Sequence, residues 1–166
     1  MTYRRSDSLH IVGYSDSDYA EDDRKSTSGY VFTPIGGAIS WKSSKQTVTT
    51  SSTIYAKFVA CYKATVQVNW LKKFIPGLKV VDDIYRPLKL YYDNNPAVQY
   101  AHNNKSSGAI KHIDIKYYVV KDKVQDQVIS LEHISTVKML ADPLTKGLPP
   151  NVFREHVARM GLRESL

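Results

Sequence analysis

Apolar and polar positions along this 166-residue chain first alternate with the period of a strand and later recur with that of a helix. Residues 10–14, running from His10 through Ile11 and Val12 to Tyr14, predict a first strand that ends at an acidic turn, Ser15-Asp16-Ser17-Asp18. After a charged loop at 21–25, Gly29-Tyr-Val-Phe32 predicts a second strand. The turn at 34–37, with Pro34 and Gly37, then leads to a third at 38–41, ending in Trp41. Three consecutive strands with short turns imply an antiparallel meander. The Thr- and Ser-rich run at 47–52 ends in good N-cap candidates. Beyond it, Ile54, Phe58, Cys61 and Ala64 or Val66 recur at helical spacing, continuing through Trp70, Leu71 and Phe74 to Pro76-Gly77. That predicts one long amphipathic helix with its stop at the proline-glycine pair.

The second half reads similarly. Residues 88–92 predict a fourth strand that runs into Asp93-Asn94-Asn95-Pro96, where Pro96 suits the first turn of a following helix. A helix is expected over 113–124, a fifth strand over 128–133 and a short helix over 139–144. After the breaker Pro149-Pro150 comes a terminal amphipathic helix around 153–160. The simplest account is one mixed α/β domain over 1–148, with a helical extension over 149–166 packed on it or following it.

Composition narrows the function classes. Apolar residues make up 42% and charged residues 23%, a globular balance. The single Cys61 excludes a disulfide framework and a cysteine-based zinc site. No apolar run reaches the length of a membrane span and the polar N-terminus is no signal peptide, so an intracellular location, cytoplasmic or nuclear, is expected. The formal net charge is +7, and its distribution matters more than its size. Residues 24–81 hold nine Lys or Arg and no Asp or Glu. A one-sign block of this kind suits a phosphate backbone as partner, although a basic protein's ordinary solvated surface produces the same count.

Candidate chemistry lies in three aspartates. Asp16 ends the first predicted strand, Asp93 ends the fourth, and Asp142 lies near a helix start after the fifth. Carboxylates at neighbouring strand ends can converge, and like charges held together call for a divalent cation; oxygen-only ligands favour magnesium or manganese. Singly, each Asp is an ordinary turn or cap residue, and spacing alone does not decide between the readings.

Motifs decide more. The stretches Gly13-Tyr-Ser-Asp-Ser-Asp-Tyr-Ala20, Asp23-Arg-Lys-Ser-Thr-Ser-Gly-Tyr-Val-Phe32, Ile39-Ser-Trp-Lys-Ser-Ser-Lys-Gln46, Tyr91-Tyr-Asp-Asn94, Lys111-His-Ile-Asp-Ile-Lys-Tyr117 and Ala141-Asp-Pro-Leu-Thr-Lys146 occur in order along nearly the whole chain. In these the chain resembles the ribonuclease H domains of copia-type LTR retrotransposons, above all plant elements, where the domain follows reverse transcriptase in a polyprotein. The resemblance implies a ribonuclease H-like α/β fold, a five-stranded mixed sheet flanked by helices with strands 1–3 as the meander. It also implies hydrolysis of RNA in RNA–DNA hybrids by a two-metal mechanism using magnesium or manganese.

Carried over by position, Asp16, Asp93 and Asp142 match three of the family's four metal-binding acids. His133 stands about where related nucleases keep a mobile histidine, although a lone histidine on a strand is more often a satisfied surface residue. Ser52 and Thr53 at the helix start, with Asn94 and Asn95 beside Asp93, resemble hybrid-contacting groups; Lys45 adds a basic contact. Trp41 could stack on a partner or fill the core, and for a tryptophan on a strand the core is the more frequent role.

The fourth acid is missing. The family carries Glu-Ala-Glu at the start of the first long helix, where this chain has Tyr55-Ala-Lys57. Lys57 therefore stands at the position of the second glutamate, the catalytic one. An ammonium there repels a divalent cation and is expected to pair with Asp16 or Asp93; the alternative is that it snorkels to solvent and leaves a weakened metal site. The resemblance thus implies a domain that binds nucleic acid with impaired cleavage. The alternatives are an active ribonuclease H beside a reverse transcriptase, and a module co-opted to bind a host protein.

Overall fold

The computed structural model describes residues 10–20, 25–34, 37–49, 52–78, 87–93 and 115–162. Its described strands are β1 (Val12–Asp18), β2 (Thr27–Thr33), β3 (Ser40–Lys45), β4 (Leu88–Tyr92) and β5 (Ile129–His133). The helices are α1 (Thr53–Gly77), α2 (Ile115–Gln125) and α3 (Pro150–Arg159), with two 3-10 turns at Thr136–Lys138 and Asp142–Leu144. The strands form one sheet in the order β3-β2-β1-β4-β5. β1, β2 and β3 pair antiparallel, as the meander predicts; β4 lies parallel to β1, and β5 parallel to β4.

α1 begins where the sequence places it. Ser52 is extended at the N-cap and its hydroxyl accepts from the Tyr55 amide at 3.2 Å. The helix ends at the expected proline-glycine pair, with Pro76 inside its last turn and Gly77 its last residue. One face of the sheet is covered by α1 and α2, whose Phe58, Ala64, Val68, Leu71 and Val120 meet Phe32, Leu88, Leu90 and Ile129. Burying each large side chain of this cluster contributes about 1.5–3 kcal/mol. Gly13 is required beneath it, because a Cβ there would lie 2.5 Å from the Phe32 ring and 2.8 Å from Leu90 Cδ1. The opposite face carries a smaller cluster of Val31, Ala38, Met139, Leu140, Ala141 and Met160, with α3 pinned by Ala38 donating its amide to the Met160 carbonyl at 2.9 Å.

Several expectations need correction. β1 continues to Asp18, so Asp16 lies inside a strand: the polar Ser15-Asp16-Ser17 run is buried by its neighbours rather than turned to water. β3 is shifted to Ser40–Lys45, a polar edge strand held by backbone pairing to β2. The short helix expected over 139–144 is instead a single 3-10 turn at Asp142–Leu144. Of the α1 pattern, Phe58, Cys61, Ala64 and Leu71 are buried, whereas Ile54, Val66, Trp70 and Phe74 are exposed; Trp70 and Phe74 stack on each other with centroids 4.4 Å apart. Trp41 is not in the core but 58% exposed. It borders a cavity of about 220 Å³ whose wall includes Pro143, Leu144, Phe153 and Met160. The helix expected after Pro96 and the loop at 21–24 lie outside the described residues.

Candidate functional site

Parallel pairing brings the first two carboxylates together. Ser15 is in register with Tyr92, so the next residues, Asp16 within β1 and Asp93 just past the end of β4, lie side by side. The first turns of α1 pass over this end and present Lys57. Its ammonium lies 2.5 Å and 2.6 Å from the two oxygens of Asp93 and 3.7 Å from Asp16 Oδ1. It does not snorkel: the Lys57 side chain is 14% exposed, against 0% for Asp16 and 5% for Asp93. The helix start is tied to the meander by the buried Gln46, whose amide donates to Ser28 Oγ at 2.8 Å and to the Ala56 carbonyl at 2.9 Å. Lys57 is thus anchored through the residue before it.

The second 3-10 turn closes the cluster from the other face. Asp142 begins it, Thr145 donates to Asp16 Oδ2 at 2.7 Å, and Lys146 bridges Asp16 Oδ2 at 3.0 Å and Asp142 Oδ1 at 3.1 Å. Gly29, directly opposite Asp16 in the β1–β2 register, makes this approach fit: a Cβ there would lie 2.7 Å from Thr145 Cγ2 and 2.9 Å from Leu144 Cβ. Ser43 of β3 adds a hydrogen bond to the Leu144 carbonyl at 2.5 Å. Lys146, Thr145, Gln46 and Gly29 were given no role from sequence. The visible signal was that all four lie inside the family-like motifs.

Burial and charge shape the titration of this site. Burial pushes the Asp142 carboxyl up to about 6, against the opposing pull of Lys146, and the nearby Asp16 pushes it the same way. Burial works to lower the Lys146 ammonium, but the Asp16 and Asp142 carboxylates outweigh it and hold it above its ordinary value. Beneath the cluster, burial raises the Tyr92 phenol well above the usual range, and its hydroxyl has no hydrogen-bond partner among the described residues.

The cluster therefore holds three carboxylates and two ammonium groups. The resemblance implies divalent cations here, but the donors do not fit one as they stand. Asp16 Oδ1 is buried without a hydrogen bond among the described residues, as a metal ligand would be, yet it faces the Lys57 ammonium. Among the described residues no group of three or more His, Cys, Asp or Glu is arranged to hold a metal ion.

The other predicted residues are more dispersed. His133 ends β5 in register with Tyr92, beside Asp93, and is exposed. Ser52 and Thr53 are exposed at the start of α1, although the Ser52 hydroxyl is engaged in capping. Lys45 is exposed at the end of β3, paired across from Thr27. Asn94 and Asn95 lie outside the described residues. Among the described residues no helix is long and apolar enough to cross a membrane.

No family model matches the chain. It is 37% identical over 145 residues to the retrovirus-related Pol polyprotein from transposon TNT 1-94 of Nicotiana tabacum, covering 86% of this chain and 11% of that protein. To the polyprotein from transposon RE1 of Arabidopsis thaliana it is 30% identical over 161 residues, 96% of this chain and 11% of that one. The chain thus spans about a tenth of the length of the curated relatives it matches. Among solved structures it is similar to LC11-RNase H1 in complex with an RNA/DNA hybrid, with a TM-score of 0.60 over 81% of this chain and 92% of that one; at 16% identity this shows the fold alone. The chain is a homologue of one segment of the retrovirus-related Pol polyproteins of copia-type transposons, and it has the ribonuclease H fold.

Proposed function

We propose that this domain binds RNA–DNA hybrids and cleaves them poorly or not at all. One observation carries the reading: in a ribonuclease H fold, the Lys57 ammonium lies against both oxygens of Asp93 and faces Asp16, at the position where the sequence resemblance implies a glutamate. With a carboxylate at position 57, four carboxylates and the Lys146 ammonium would leave a net three negative charges to attract divalent cations. Here three carboxylates and two ammonium groups sum to a single negative charge, and electrostatic attraction for a cation falls accordingly. No hydrolytic step is assigned to these side chains, since Lys57 offers neither a metal ligand nor a base at the scissile group.

Binding draws on different residues. The acid-free run 24–81 includes Lys42 and Lys45 on the edge strand and Lys63 on α1, and Ser52 and Thr53 sit exposed at the helix start. Such groups contact phosphates without reading sequence.

A labelled RNA–DNA hybrid incubated with magnesium or manganese tests both halves. The expected result is binding that weakens steeply with salt and leaves the RNA strand intact. Robust cleavage that disappears in Asp16→Asn would refute the impairment. Salt-insensitive or absent binding would refute the nucleic-acid role. In Lys57→Glu, metal-dependent cleavage is expected to appear.

A further inference from the structure

We propose that Lys57 is a resident cation, covalently tethered in place of a metal, so that neither the folding of this site nor its hold on nucleic acid requires a divalent ion. The second half of this inference rests on the nucleic-acid reading above; the first half does not.

The geometry supports the exchange at atomic detail. Nζ is nearly equidistant from the two Asp93 oxygens, at 2.5 Å and 2.6 Å, and Asp16 Oδ1, which has no hydrogen bond among the described residues, faces it at 3.7 Å. Asp16 and Asp93 are both almost wholly buried, and carboxylates so placed destabilise a fold unless a cation meets them. On the other side Thr145 and Lys146 satisfy Asp16 Oδ2, and Lys146 also reaches Asp142. Each of the three carboxylates therefore has a cation belonging to the chain itself.

Tethering makes this arrangement hard to displace. An ammonium built into α1, whose start is held by the Ser52 cap and the Gln46 contact to Ala56, is present at high effective concentration. A free ion would have to dislodge it from two buried carboxylates. With glutamate at 57 the same end of the sheet would hold four carboxylates, and folding would draw on an external cation by mass action. The substitution also changes what a phosphodiester meets. A negatively charged site needs metal ions between it and the backbone phosphates, whereas a site already compensated by lysines does not.

The test compares the whole chain in EDTA and in millimolar magnesium, at matched ionic strength, by thermal unfolding and by binding of an RNA–DNA hybrid. In the unmodified protein the midpoint should move by less than about 1 °C. Its hybrid dissociation constant should change by less than about threefold. Lys57→Glu should melt lower in EDTA and rise by several degrees with magnesium, and its hybrid binding should weaken about tenfold in EDTA and recover with the metal. Lys57→Arg, which keeps a cation, should stay insensitive. A magnesium-induced rise of several degrees in the unmodified protein overturns the proposal, and this measurement holds even if Lys57→Glu does not fold. Hybrid binding that appears only with magnesium overturns its second half. Absence of hybrid binding in both buffers, with unchanged melting, overturns the nucleic-acid reading and the second half with it, while supporting the metal-free fold.

Discussion

The two faces of the sheet are built to different standards, and the charge cluster lies on the seam between them. The α1–α2 face is closed by a thick apolar layer in which Phe32, Val68, Leu71 and Leu90 are all but inaccessible. The α3 face has a thinner cluster and an open apolar cavity beside the exposed Trp41. Each face sends one lysine to the cluster. Lys57 comes from a 25-residue helix seated on the thick layer, is 14% exposed, and holds Asp93 with both oxygens. Lys146 follows a three-residue turn on the thin side, is 29% exposed, and divides itself between Asp16 and Asp142. The quality of an ion pair here follows the packing of the element that carries it, because a buried pair repays its desolvation only when its geometry is held.

The sharpest way to break this comparison is to cut into each layer. Phe32→Ala should cost about 3–5 kcal/mol in urea unfolding, and Met160→Ala on the other face about 2 kcal/mol. Equal losses would mean that the thin face is as well packed as the thick one. Next come the ion pairs. Asp93→Ala removes both oxygens closest to Lys57 and should cost about 3 kcal/mol, since it leaves a largely buried ammonium with Asp16 alone at 3.7 Å. Asp142→Ala leaves Lys146 its contact with Asp16 and partial exposure to water, and should cost about 1 kcal/mol. Paired denaturation curves of the two variants check the order.

Acid should act on the thin face. His156 of α3 is buried, and burial lowers its pKa, with Arg159 adding to the effect and Glu155 opposing it. A histidine depressed in the folded state contributes stability that is fully present above its unfolded pKa, about 6.5, and is lost as pH falls through the lower folded value. Asp142, raised to about 6, works the other way and gains stability as pH falls through the same range. From pH 7.5 down to pH 5, a range set by the histidine pKa of about 6.5, the unfolding free energy of the unmodified protein should therefore fall relative to that of His156→Leu, and parallel curves for the two would refute the histidine contribution. The smallest effect is expected at Trp41, where replacement by Ala should change stability by less than about 0.5 kcal/mol because the ring is mostly in water. A larger loss would show that the cavity beside it contributes to the core.

Local pattern was enough for the elements whose signals are local. β4 was legible to its ends, because Leu88 and Leu90 alternate inward and the acidic Asp93 follows. The start of α1 was legible because a serine cap acts within one helical turn. The ordered motifs carried the family and the fold, and the Tyr55-Ala-Lys57 departure stood out within them. Other features depend on partners far along the chain. Ser15-Asp16-Ser17 looks like a turn until β2 and the second 3-10 turn bury it, and that contact exists only because Gly29 leaves room for Thr145. The apolar spacing of α1 identified a helix but not its inward face: Phe58 and Leu71 point to the sheet, while Val66, Trp70 and Phe74 do not. Trp41 went to the surface because β3 is the edge strand and its pairing register is set by backbone hydrogen bonds to β2. By itself the sequence placed a lysine at position 57, where the resemblance leads one to expect an acid. Only the tertiary structure, by joining residues 36 positions apart at Lys57 and Asp93, decided what the lysine does there. A charge is stabilised by what lies within a few ångströms of it, and that neighbourhood is made by the fold.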